Sequence, residues 1–197
     1  LFILVAYCAG LVSSELGRGS ICLMLVRPLL RHEYVAAKLL VGMTYATLLT
    51  LTVGGAAWGC VFVFGDLSGV AYGGEALYTN LDMTAAYLAG GALALLPQFA
   101  AVAYAVMVST LTRSTGTAIG AALGVWLLTD LVKYPLRISG FLFSSYMGTP
   151  WQVFSGRCSG RDPSWWPTAA WTAATSAAFF VVFAAGAAAA LARRDLR

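Results

Sequence analysis

The sequence predicts an all-α fold, a polytopic helical membrane protein, from two observations. Of its 197 residues, 60% are hydrophobic and only 10% are charged, whereas a soluble domain has about 25% charged residues. Long uncharged stretches also alternate with short charged islands along the whole chain, which is typical of membrane proteins. High hydrophobicity excludes a disordered chain. We therefore expect one transmembrane domain over residues 1–197.

Three uncharged runs exceed the ~20 residues that a helix needs to cross a bilayer. They are Leu39–Gly65, Met83–Thr112 and Pro163–Ala192. A fourth run, Ser114–Thr129, reaches this length if it continues to Tyr134. The predicted helices span 34–65, 83–112, 114–134 and 169–192, and residues 66–82 form an outer loop. The first run is too short, so we expect residues 1–15 to be a truncated helix that begins upstream.

The segment 135–168 is predicted to be an outer loop with a short or re-entrant helix. Its uncharged part, Ile138–Gly156, contains Pro150 and several serines and glycines. Proline interrupts a helix, and irregular backbone is tolerated at membrane depth only where protein or water satisfies its polar groups. A complete span is therefore not expected here.

Orientation follows from the positions of the basic residues, because cytoplasmic loops carry an excess of Lys and Arg. One side of the predicted topology holds Arg18, Arg27, Arg31, Lys38, Arg113, Arg193, Arg194 and Arg197. The other side holds Lys133, Arg137, Arg157 and Arg161. We therefore expect a multi-pass protein of the cell membrane with residues 16–38 and the tail 193–197 in the cytoplasm.

The residue types needed for several chemistries are missing. His32 is the single histidine, which disfavours haem ligation, zinc catalysis and a Ser-His intramembrane protease. No phosphate loop of the G-x-x-x-x-G-K-[ST] type occurs. The basic residues lie in separate islands instead of one stripe, which argues against a nucleic-acid partner. We predict no catalytic, cofactor-binding or metal-binding residue in this chain; a disulfide between Cys60 and Cys158 is conceivable.

The segment between Glu15 and Lys38 has an apolar centre and charged flanks. Leu23, Val26 and Leu30 have the spacing of one helix face, Gly19-Ser20 provides a break and a capping hydroxyl, and Pro28 marks the end of the helix. This indicates a short amphipathic helix at the membrane surface. Two interpretations stay open: a hairpin held by anionic lipid, or a docking element for a soluble partner.

The same segment resembles the cytoplasmic coupling elbow of permease subunits of ABC-2 type transporters. The matching residues are Glu15, Gly19, Ser20, Leu23, Pro28, Arg31 and Lys38. Ser20 stands where the family usually has Thr, and Leu30 where a small polar residue is common. The segment Leu111–Ala118 and the ending A-R-R-D-L-R are also similar to that family.

This resemblance implies a permease subunit of an ATP-driven exporter that is not an enzyme by itself. It implies a six-helix bundle, of which about four helices are complete here, and a permease homodimer or a paired permease. A separate ABC ATP-binding subunit would bind ATP and Mg and would contact the coupling elbow, residues 16–33. The implied contact residues are Glu15, Arg18, Gly19, Ser20, Arg27, Pro28, Arg31, Glu33 and Lys38. The alternative is a structural or assembly subunit of a membrane complex without transport activity.

Three further features are candidates for packing or transport. Gly116, Gly120 and Gly124 form overlapping G-x-x-x-G steps, which allow close helix approach in lipid, either within the chain or at a dimer seam. Pro97 predicts a kink that is either static or a hinge, and Gln98 beside it is a candidate for lining a pathway. Asp130 and Lys133 lie one helical turn apart, where they can pair or gate an exit.

Overall fold

The computed structural model describes residues 1–17, 31–65, 70–72, 75–136, 139–148, 152, 154–156, 159 and 166–193. Within these ranges lie five α-helices: α1 (Phe2–Gly17), α2 (Arg31–Phe64), α3 (Asn80–Leu111), α4 (Thr115–Val132) and α5 (Trp166–Ala192). Helices α2 to α5 are each long and apolar enough to cross a membrane. The predicted all-α helical bundle is therefore confirmed, and its four long apolar helices indicate a membrane protein.

The helix ends differ from the predicted ones by a few residues. Helix α3 begins at Asn80 instead of 83 because Thr79 and Asp82 form a capping box, in which the Thr79 N–H donates to the Asp82 carboxylate at 3.1 Å. Helix α5 begins at Trp166 instead of 169, and α4 ends at Val132. The predicted elbow, 16–33, overlaps both neighbouring helices, since α1 continues to residue 17 and α2 starts at 31.

Both predicted outer loops contain ordered structure. In 66–82, strands β1 (Val70–Tyr72) and β2 (Glu75–Tyr78) pair antiparallel, and this hairpin was not predicted. In 135–168, two short 3-10 helices cover Ser139–Phe141 and Phe143–Gly148. Residues 152 and 154–156 of the same loop are also helical, and the short or re-entrant membrane helix stays a prediction.

Helix α3 is the centre of the bundle and packs against each of the other four α-helices. Its second half, from Ala100 to Val106, is almost completely buried and consists mainly of alanine and valine. Small side chains let helix backbones approach closely where van der Waals packing drives association in lipid. Gly186 of α5 faces α3 at such a point, because an added methyl group there would lie 2.9 Å from the Met107 sulfur.

An aromatic cluster fixes the segment 139–148 against the bundle. The Phe143 ring is 5% exposed and lies 5.4 Å from Trp126 of α4 and 5.2 Å from Phe179 of α5, measured between ring centroids. Tyr104 of α3 joins the cluster through Trp126, at 6.0 Å. Such offset and edge-to-face pairs stabilise beyond their burial, so this loop segment is an integral part of the core.

A buried serine joins α1 to α3. The Ser109 hydroxyl accepts hydrogen bonds from the backbone N–H groups of Val12 (3.1 Å) and Ser13 (2.9 Å), and it donates to the Ala9 carbonyl at 2.5 Å. It therefore inserts into the hydrogen-bond ladder of α1. Because this contact is fully buried, it fixes the level of α1 on α3 near the end of the bundle from which the elbow emerges.

Candidate functional site

Four chain segments meet at one end of the bundle, which we call the Arg31 end: the end of α1 at Gly17, the start of α2 at Arg31, the α3–α4 turn at Arg113 and the end of α5 at Ala192. A methyl group added at Gly17 would lie 3.0 Å from the Arg113 carbonyl oxygen. The other contacts at this end are made by Arg31 and by three residues that we call the base of the elbow: Glu15, Tyr34 and Lys38. The predicted coupling elbow leaves and re-enters the bundle at this end.

The base of the elbow is held by a cluster around Glu15. One carboxylate oxygen of Glu15 accepts a hydrogen bond from the Tyr34 hydroxyl at 2.5 Å, and the other pairs with the Lys38 ammonium group. The Lys38 and Glu15 side chains are only 17% and 23% exposed, and the Lys38 nitrogen lies 5.4 Å from the Tyr34 ring centroid. Two predicted elbow contacts, Glu15 and Lys38, therefore bind each other and fix the spacing of α1 and α2.

Arg31 connects the same base to the last helix. Its Nη1 donates hydrogen bonds of 2.9 Å to the carbonyl oxygens of both Leu191 and Ala192. These carbonyls belong to the last turn of α5, where helix carbonyls lack internal partners and a positive charge is favoured. Arg31, predicted as a contact for the ATP-binding subunit, thus already has partners within the chain. No local pattern signals this contact, because the residues are about 160 positions apart.

The other predicted elbow residues are placed as follows. Glu33 lies in the first turn of α2, where a carboxylate is favourable to the helix dipole. The remaining ones lie outside the described residues: Arg18, Gly19, Ser20, Arg27 and Pro28.

The predicted hinge pair lies at the contact between α2 and α3. Pro97 is completely buried inside α3. The Gln98 side-chain carbonyl accepts a hydrogen bond from the Thr50 hydroxyl of α2 at 2.9 Å, so Gln98 joins two helices. Thr50 was missed in the sequence, since nothing in its local pattern distinguishes it from the other threonines of α2.

Asp130 and Lys133 form an ion pair at the end of α4. The Lys133 side chain is 5% exposed and that of Asp130 is 48% exposed, and the Lys133 nitrogen also lies 5.1 Å from the Tyr134 ring centroid. The i,i+3 spacing allows the pair to form on a single helix. The pair therefore keeps a largely buried ammonium group neutralised, whether or not it gates an exit.

The glycine face of α4, defined by Gly116, Gly120 and Gly124, is open. Methyl groups added at Gly120 or Gly124 would meet no atom within 4 Å, and at Gly116 only the nearby Ser114 hydroxyl at 3.9 Å. Packing within the chain was one of the two expectations for this face. Among the described residues no other helix lies within 4 Å of the methyl groups added at Gly120 or Gly124, and the dimer seam stays a prediction.

Cys60 is exposed and Cys8 is buried, both as free thiols among the described residues, and Cys158 lies outside them. In the ranges that the structure describes, no group of three or more His, Cys, Asp or Glu side chains is placed to hold a metal ion.

The helices and the contacts at the Arg31 end define a helical membrane-protein bundle. The chain belongs to the family described as Protein of unknown function (DUF2705), whose model matches residues 1–197. Comparison with curated proteins and with solved structures gave no match.

Proposed function

We propose that this chain is the membrane-spanning permease subunit of an ATP-driven ABC exporter of the ABC-2 type, with the Arg31 end in the cytoplasm. The observation that carries the proposal is the rigid base of the elbow. A chain without its own nucleotide site performs ATP-driven work through a contact that transmits its partner's movement into helix packing. Here Glu15, Tyr34 and Lys38 join the two helices that flank the elbow.

The proposal includes a path for that movement. A displacement of the elbow acts on α1 and α2 through the cluster around Glu15, and on α5 through the two hydrogen bonds of Arg31. Both routes lead to α3. Helix α1 contacts α3 through the buried Ser109 hydroxyl, and α5 packs directly against α3. A partner that moves the elbow would therefore shift the helices together.

ATP and Mg would be bound by the separate ATP-binding subunit. The second permease copy would occupy the open glycine face of α4. Gly120 and Gly124 support this placement because the described residues leave the space beside them empty, and close backbone approach at G-x-x-x-G steps drives helix pairing in lipid.

The test is co-purification of the chain with a separate ABC ATP-binding subunit from its native membrane, followed by charge reversal in the elbow. Arg31 is unsuitable for reversal because its loss would also uncap α5, so the variant is Arg27→Glu. Arg113→Glu, at the same end but in the α3–α4 turn, is the matched control. We expect Arg27→Glu to lower association and transport-coupled ATP hydrolysis roughly tenfold, which corresponds to about 1.4 kcal/mol, and Arg113→Glu to leave association unchanged.

Undiminished association in Arg27→Glu would remove the coupling role of the elbow. Isolation of a stable native complex that contains no ATPase would instead favour the alternative, a structural or assembly subunit of a membrane complex.

A further inference from the structure

A cavity separates α2 from α3 on the side of the β1–β2 hairpin. The two helices touch at Gly42, where an added methyl group would lie 2.5 Å from the Val102 side chain. The last buried residue of α2 is Ala46, and beyond it α3 reaches α2 through the side chains of Gln98 and Tyr87. The space between them has a volume of about 720 Å³, within the ~300–1,000 Å³ of pockets that hold drug-sized ligands.

The walls of the cavity contain four glycines: Gly54 and Gly55 on α2, Gly90 and Gly91 on α3. Methyl groups added at Gly55 or Gly91 would meet nothing within 4 Å. The width of the cavity therefore comes partly from missing side chains, and a larger residue at either position would occupy the space without a clash at its Cβ.

The four hydroxyl groups that the described residues contribute to the walls already donate hydrogen bonds. Thr47 donates to the Met43 carbonyl at 2.9 Å, and Thr84 donates to the Asn80 carbonyl at 2.8 Å. Thr50 donates to Gln98, and the Tyr87 hydroxyl donates to the Gly54 carbonyl at 2.7 Å.

Among the described residues, none that lines this cavity is charged. A charged or strongly polar ligand would therefore lose its hydration without compensation, whereas a hydrocarbon chain would not.

The dimensions of the cavity match one leaflet of a bilayer. Along α3 it extends from Thr84 to Leu95, about 16 Å at the ~1.5 Å rise per residue of an α-helix. The hydrocarbon core of a bilayer is about 30 Å thick, so one leaflet contributes about half of that. The cavity ends just before Pro97, near the middle of the uncharged run 83–112, and it begins at the hairpin side.

We propose that this cavity binds one acyl chain of a bilayer lipid, which enters laterally from the leaflet on the hairpin side. The chain lies between the glycine-bearing walls of α2 and α3, under the rings of Tyr87 and Phe154, whose centroids are 5.8 Å apart. The lipid headgroup stays at the level of Thr84. This site does not depend on the export function, since it uses neither the elbow nor the glycine face of α4.

The experiment uses the full chain in nanodiscs that contain a trace of phosphatidylcholine with a diazirine on one acyl chain. After photolysis, labelled peptides are mapped by mass spectrometry, and unlabelled phosphatidylcholine is used as competitor. We expect saturable labelling of residues 84–95. Gly55→Leu together with Gly91→Leu should lower it roughly tenfold, which corresponds to about 1.4 kcal/mol of binding free energy.

Gly59→Leu is the matched control. It is on α2, it also has open space beside it, and it does not line the cavity, so labelling should persist. A nonsaturable signal equal to that of the exposed face of α4 would overturn the proposal. So would undiminished labelling in the filled double variant. Circular dichroism identifies any variant that fails to fold. In that case native mass spectrometry of the wild-type chain tests the site instead. A wild-type chain that retains no lipid in that measurement would also refute the site.

Discussion

Replacement of Ser109 by alanine removes three hydrogen bonds from one buried atom. The hydroxyl accepts from the N–H groups of Val12 and Ser13 and donates to the Ala9 carbonyl, all inside the bundle. A buried donor left without a partner costs about 1–3 kcal/mol, whereas hydrogen bonds between membrane helices average only ~0.6 kcal/mol each. The Ser13 N–H can return to the Ala9 carbonyl, its usual acceptor in a helix. We therefore expect Ser109→Ala to lower the free energy of unfolding by about 1–2 kcal/mol.

Ser176→Ala is the matched control for this prediction. Ser176 is also buried, at 2% exposure, but its hydroxyl has no hydrogen-bond partner among the described residues. Removal of an unpartnered buried hydroxyl should leave stability unchanged or raise it by up to about 1 kcal/mol. Both variants are measured by equilibrium unfolding in mixed micelles with dodecyl sulfate, followed by circular dichroism and by tryptophan fluorescence. Equal losses in the two variants would refute the assignment of Ser109 as the α1–α3 anchor.

Two further predictions concern close packing and charge. Gly42→Ala should lower the free energy of unfolding by about 1–3 kcal/mol, because the methyl group would lie 2.5 Å from Val102 and 3.2 Å from the Cys8 sulfur. Val102→Ala in the same chain should recover part of the loss, since it removes the closer of the two contacts. Gly55→Ala should leave the free energy of unfolding nearly unchanged, since open space surrounds Gly55. A full loss in the Gly42→Ala, Val102→Ala double variant would contradict this reasoning. Asp130→Asn should lower the free energy of unfolding by about 1–3 kcal/mol, because it leaves the 5% exposed Lys133 ammonium without its partner. The loss is smaller than for a fully buried pair, since Asp130 is 48% exposed. Adding Lys133→Met should restore stability, and an unchanged unfolding midpoint in Asp130→Asn alone would show that the pair contributes nothing.

The positions of the long helices follow closely from the sequence, because a lipid-exposed backbone has to satisfy its own hydrogen bonds. Each uncharged run of sufficient length therefore corresponds to one of the helices α2 to α5. Some local details were also present in the sequence. Thr79 and Asp82 have the spacing of a capping box, which would have moved the start of α3 to Asn80, and the spacing of Asp130 and Lys133 already suggested their pair.

Contacts between distant parts of the chain did not follow from the sequence. Arg31 binds the end of α5 across about 160 residues, and Ser109 enters the hydrogen-bond ladder of α1 from about 100 residues away. Phe143 stands in a segment rich in serine and glycine, yet it is buried among the rings of α4 and α5. None of these contacts has a local pattern, since each depends on which helix faces meet.

Apolar helices of membrane-spanning length can be predicted from the residues alone, because hydrophobicity and backbone hydrogen bonding act locally along each segment. Three features become visible only in the folded chain: Glu15 and Lys38 pair at the base of the elbow, the glycines of α4 remain open, and a cavity lies between α2 and α3. Apolar helices in lipid have no strong hydrophobic preference for one another. Their arrangement therefore rests on small residues and a few buried polar contacts whose partners are far apart in the chain.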